Sequence, residues 1–103
     1  MLDKTTVRDI ARRYADEVRK NLNPHSVILF GSYVNGNPHE YSDIDIAVVF
    51  NDFQGNWLET STYLVGLAWD IGGYIEPHLM DVTSDRSGFL EHIREKGEII
   101  YGA

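Results

Sequence analysis

The chain has no cysteine, so neither a disulfide nor a thiolate metal site is available to it. That absence allows a reducing compartment, and a cytoplasmic location is the expectation. No apolar run approaches the ~20 residues that a membrane-spanning helix needs. The first twenty residues alternate charged with apolar side chains, unlike the uninterrupted apolar centre of a secretory signal. Basic residues are scarce beyond Lys20: of nine Lys and Arg, only Arg86, Arg94 and Lys96 follow it. The first twenty residues carry six basic and four acidic side chains, and the remainder carries three basic and twelve acidic. A body with a net charge of −9 argues against sequence-independent nucleic-acid binding, which depends on neutralising phosphates. The basic segment reads as the solvated face of a helix.

What is present is globular. Hydrophobic residues make 43% and charged residues 24% of 103 positions, which fits a single small domain over residues 1–103. So small a chain has little surface for a complete substrate pocket, and a partner is expected. Val7, Ile10, Ala11, Tyr14, Val18 and Leu22 recur with helical spacing, predicting a helix over about 5–22 with a Thr6–Asp9 capping box and a stop at Asn23-Pro24. Ser26–Phe30 is continuously apolar, as a strand covered on both faces would be. Residues 31–42 are rich in Gly and Asn and read as a loop, followed by a second strand over 43–50. A helical stripe from Trp57 to Ile71 ends at Gly72-Gly73, and a third strand runs over 74–82. Pro77 cannot donate to a ladder, which places that strand at an edge or at a bulge. A last helix covers 89–96, with Gly97 after it and a short extended tail at 99–101. The order is α-β-β-α-β-α.

The stretch with chemical content is Gly31-Ser32-Tyr33-Val34-Asn35-Gly36, followed after five residues by Ser42-Asp43-Ile44-Asp45. Glycine directly after a buried strand permits a tight turn and lets backbone N–H groups meet an anion. Ser32 adds a hydroxyl at the same place, and Gly36 allows a second turn. Asp43 and Asp45, two residues apart on a strand, project from one face. Adjacent carboxylates are unfavourable unless a cation sits between them or one takes a proton. An all-oxygen ligand set favours Mg²⁺, Mn²⁺ or Ca²⁺ over zinc. An anion cradle beside paired carboxylates is what phosphoryl or nucleotidyl transfer requires.

The pattern G-S-x3-G-x5-S-D-x-D resembles the signature of the DNA-polymerase-β-like nucleotidyltransferase superfamily. The run GSYVNGNPHEYSDIDIAVVF and the Gly97–Tyr101 ending resemble its smallest members, the minimal nucleotidyltransferases, over nearly the whole chain. The resemblance implies an α+β (α/β) nucleotidyltransferase fold, a small mixed sheet with helices packed mainly on one face. It implies a Mg²⁺-dependent enzyme that moves a nucleoside monophosphate, AMP from ATP by family expectation, onto an acceptor hydroxyl. Asp43 and Asp45 would hold two Mg²⁺ ions, with Mn²⁺ as an alternative, and Gly31 and Ser32 would hold the nucleotide phosphates. Members take a third acidic residue from a neighbouring strand, and Glu76 is the candidate for that catalytic and metal-binding position, although Asp is commoner there. Strand parity puts Glu76 and His78 on one face and Asp81 on the other, unless Pro77 introduces a bulge. Asp81 reads as a strand-end or capping residue.

Minimal nucleotidyltransferases commonly accompany a small helical HEPN protein, so the resemblance implies an antitoxin that adds AMP to a tyrosine of a HEPN toxin. A membrane partner and direct nucleic-acid binding are not expected. Two alternatives are a non-catalytic module that neutralises a HEPN partner by occlusion, and transfer to an aminoglycoside-type small molecule. His39 and Glu40 read as solvated loop residues, with substrate contact as the alternative. His78 either orients a ligand or fills space at the edge strand. Trp57, Tyr63 and Trp69 read as core or interface residues before base-stacking ones. His25 and His92 are assigned no role.

Overall fold

A computed structural model describes residues 2–36, 38, 43–72, 74–85 and 87–102. His39, Glu40, Ser42 and Gly73, which figure in the reading above, lie outside the described residues. Helix α1 (Lys4–Asn21) starts where the Asp3 carboxylate accepts a hydrogen bond from the Thr6 amide at 2.8 Å. That cap, and not the expected Thr6–Asp9 box, satisfies a free amide of the first turn. Beyond Leu22, Asn23 takes φ 55, a left-handed turn that ends the helix ahead of Pro24. Strands β1 (Ser26–Phe30) and β2 (Ile44–Phe50) follow, separated by a segment that holds α2 (Ser32–Asn35). Helix α3 (Trp57–Ile71), strand β3 (Ile75–Asp81), a 3₁₀ turn at Val82–Ser84, helix α4 (Phe89–Lys96) and strand β4 (Glu98–Gly102) complete the chain.

The sheet order is β3-β2-β1-β4. β1 pairs antiparallel with both β2 and β4, and β2 pairs parallel with β3 through the α3 crossover. The expected extended tail is therefore a full sheet strand. On one face, α1 and α3 cover Val27, Leu29, Ile44, Ile46 and Val48. On the other, the shorter α4 covers Ile28, Ala47 and Val49. Burial from both sides is why β1 and β2 read as unbroken apolar runs. The buried Tyr14 hydroxyl donates to the Leu64 carbonyl at 2.7 Å and ties α1 to α3.

β3 is an edge strand, as Pro77 requires, but it carries no bulge. Its register with β2 runs without a shift from Ile44↔Ile75 to Phe50↔Asp81. Asp81 therefore stays on the face opposite Glu76 and His78. Its carboxylate accepts hydrogen bonds from the Phe53 amide at 2.7 Å, the Asp52 amide at 3.1 Å and the Thr83 amide at 2.9 Å. Asp81 thus pins the turn after β2 to the end of β3. Helix α3 keeps Leu64 and Ala68 buried yet leaves Leu58 and Trp69 each 74% exposed and Val65 47% exposed.

Candidate active site

The Gly-Ser segment after β1 is one helical turn between two glycines of positive φ. Gly31 takes φ 85, ψ −155, and its carbonyl accepts from the Val34 and Asn35 amides at 3.0 and 2.9 Å. Gly36 closes the turn at φ 84 with its N–H on the Ser32 carbonyl. The expectation of an uninterrupted loop is corrected here, because four residues are too few for a periodic signal. Tyr33, inside the motif, is buried, and its hydroxyl accepts from the Leu2 amide at 3.3 Å, which fastens the turn to the start of α1. The first amides of such a turn have no partner within the helix.

This turn lies directly against β2. A Cβ added to Gly31 would collide with Asp45 Oδ2 and stand 3.0 Å from Asp45 Cγ. Only a residue without a side chain lets the backbone approach the carboxylate so closely. Across the sheet, Phe30 pairs with Asp45, and Asp45 pairs with Glu76, so the three share one row and one face. The next row on that face is Ile28, Ala47 and His78. Alanine at its centre leaves room above β2, and the rings of Phe30 and His78 meet over it edge to face, centroids 5.1 Å apart. His78 Nε2 comes to 3.2 Å from Asp45 Oδ1. Ligand atoms of Asp45, Glu76 and His78 all lie within 4.8 Å of one another.

Asp43 is exposed, immediately before β2. Its charge reaches Glu76, whose carboxyl is held above its usual range. Desolvation is the main cause, His78 opposes it, and the Asp45 and Asp43 charges add to it. His78 is raised as well, chiefly by its hydrogen bond to Asp45, with burial working against it. A carboxylate set this close, with one member driven toward its protonated form, is an arrangement that a cation would relieve. The donors brought together, the carboxylates of Asp45 and Glu76 with the His78 imidazole, suit a divalent ion, and Asp43 is not among the residues of this group.

Beside Gly31, a cleft of about 240 Å³ opens between α2 and α4, lined by Phe30, Asn35, Phe89, His92, Ile93 and Lys96. His92, given no role from the sequence, lies on this cleft with Lys96. No local pattern could have found them, since α4 reaches the site only through packing on β1 and β2. Trp57, Tyr63 and Trp69 stand on α3, away from this row. Tyr63 accepts from Asn21 at 2.9 Å, which fits a packing role.

The profile of the "Polymerase beta, Nucleotidyltransferase" family matches residues 13–103. Among curated proteins, one named as a protein adenylyltransferase, MJ1215 of Methanocaldococcus jannaschii, is 41% identical over 44 residues, covering 43% of this chain and 51% of that protein. A second of that name and organism, MJ1379, is 36% identical over 58 residues, 56% of each chain. The chain spans about half the length of the curated relatives it matches. Among solved structures, a toxin–antitoxin complex with AMP-PNP contains a chain 26% identical at TM-score 0.64, covering 89% of this chain and 73% of that one. The complex of a tri-AMPylated Shewanella oneidensis HEPN toxin with its MNT antitoxin gives 24% identity and TM-score 0.62, covering 93% and 73%. A protein named as a nucleotidyltransferase from Sulfolobus solfataricus shares the fold at 20% identity and TM-score 0.67, covering 95% and 82%. The chain belongs to the polymerase-β nucleotidyltransferase family.

Proposed function

We propose that this chain transfers AMP from ATP to a tyrosine hydroxyl of a HEPN-type toxin and thereby acts as its antitoxin. The observation that supports it most is the Gly31 turn packed against Asp45, with Glu76 paired beside it on the same face. Asp43, Asp45 and Glu76 would hold divalent cations, Mg²⁺ by family expectation. Such cations neutralise phosphate charge and align the attacking oxygen. Gly31 and Ser32 would take the β and γ phosphates on their amides and hydroxyl, and the cleft toward Lys96 gives the nucleotide room.

In the transfer, the acceptor oxygen forms a bond to the α phosphorus and the bond to the β phosphate bridge breaks, releasing pyrophosphate. Glu76, paired beside Asp45 on the same face, would accept or relay the acceptor proton. The exposed Leu58, Val65 and Trp69 on α3 offer a partner an apolar face. The relatives' names, and the AMPylated toxin in a structural neighbour, support protein over small-molecule acceptors.

The test is co-expression with a HEPN protein encoded beside the chain, followed by intact-mass measurement. The partner should gain one or more AMP increments and lose its toxicity, and Asp43→Asn and Asp45→Asn should abolish both effects. A partner that is neutralised without an adduct, equally by wild type and Asp45→Asn, would replace transfer with occlusion.

A further inference from the structure

The cation site proposed above is built from carboxylates, yet the geometry puts an imidazole in the same cluster. We infer that His78 supplies a nitrogen ligand to the ion held by Asp45 and Glu76, and that the site therefore prefers a first-row transition cation such as Mn²⁺ to Mg²⁺. This inference rests on the cation-binding reading of the site and adds a ligand and a selectivity to it.

The argument is one of distances and placement. Two ligand atoms at right angles, each about 2.1 Å from one ion, stand about 3 Å apart. His78 Nε2 and Asp45 Oδ1 are 3.2 Å apart, and the Glu76 oxygen completes a group within 4.8 Å. These are spacings that small side-chain adjustments bring onto a single centre. The ring is also held where a ligand would be needed. It reaches diagonally over Ala47 toward Asp45, braced by the edge-on Phe30 ring, and Phe89 backs Phe30 at 6.1 Å. Carboxylate and water oxygens suit Mg²⁺, and an imidazole nitrogen moves the preference toward the later divalent ions.

Pulsed electron paramagnetic resonance of Mn²⁺ added to the intact chain reads the inference without catalysis. Wild type should show hyperfine modulation from a directly bound nitrogen, changed by heavy-nitrogen labelling of histidine. His78→Gln should lose it, and its Mn²⁺-over-Mg²⁺ affinity ratio, measured by calorimetry, should fall about tenfold or more. Should His78→Gln not fold, the labelling experiment on wild type decides alone. Mn²⁺ bound by wild type without nitrogen modulation would overturn the inference, leaving His78 as a group that positions Asp45. If wild type and Asp45→Asn both fail to bind Mn²⁺ and Mg²⁺, the cation-site reading itself falls.

Discussion

Replacing Gly31 by alanine should damage the protein twice, once through its own backbone and once through Asp45. At φ 85, ψ −155 the residue occupies a region that only glycine visits without strain, and a side chain there costs about 1–3 kcal/mol. The new Cβ would also run into Asp45 Oδ2, with Asp45 Cβ only 3.2 Å away. Asp45 can yield only by leaving His78 and Glu76. Gly36→Ala is the matched control. Its φ of 84 is nearly the same, but a Cβ there meets nothing within 4 Å, so only a left-handed penalty of about 1–2 kcal/mol applies.

Thermal and urea unfolding followed by circular dichroism measure both, since each kcal/mol moves Tm by roughly 4–8 °C in a domain of this size. In an Asp45→Ala background the contacts with Oδ2 and Cγ are gone and only the 3.2 Å approach of Cβ remains, so Gly31→Ala should become milder by about 0.5–3 kcal/mol, the coupling expected of touching residues. Labelling with radioactive α-phosphate ATP should fall about 100-fold in Gly31→Ala, because shifting a reacting group by ~1 Å costs that much. Gly36→Ala should lose far less. Additivity of Gly31→Ala and Asp45→Ala to within about 0.5 kcal/mol would refute the close approach on which the site is built.

Two further outcomes follow from other parts of the fold. Asp81 has its carboxyl pulled down to about 2 by hydrogen bonds from Phe53 and Thr83, so its contribution to stability is present above pH 3.8 and is lost as the pH falls through about 2. Asp81→Asn should flatten that part of the acid-unfolding slope in urea titrations, and an unchanged slope would remove Asp81 from the account. Trp69→Gln should leave the stability of the isolated chain within about 0.5 kcal/mol, since the ring is 74% exposed. The same substitution should weaken a HEPN complex by more than about 1 kcal/mol in calorimetry, and an unchanged affinity would take α3 out of the interface.

Much of this fold was legible because its cause is local. β1 and β2 announce themselves as apolar runs because helices cover both sides of them, and Pro77 marks an edge because it has no N–H to give. The Gly-Ser and Asp-x-Asp patterns are likewise local, but β2 begins at Ile44, so Asp43 stands just before the strand on which it was expected. The misread features depend on contacts too short or too distant for periodicity. Asp3 captures the Thr6 amide ahead of the expected box, α2 is a single turn, and β4 becomes a strand only by pairing with β1. The pairing of Asp45 with Glu76 rests on a parallel register across thirty-one positions, and the lean of His78 over Ala47 follows from that same register. Parity could say which residues share a face of β3, but only the sheet says which residue of β2 each one meets.

The outer position of β3 also governs approach. Glu76 stands on a strand bordered by the sheet on one side only, so among the described residues the acidic row has a flank with no neighbouring strand. A free sugar or drug arriving there would find little to enclose it. A folded protein brings its own wall, and its surface can close that flank as it presents a hydroxyl. If the acceptor is the protein proposed above, part of the selection would thus fall to that protein's own surface.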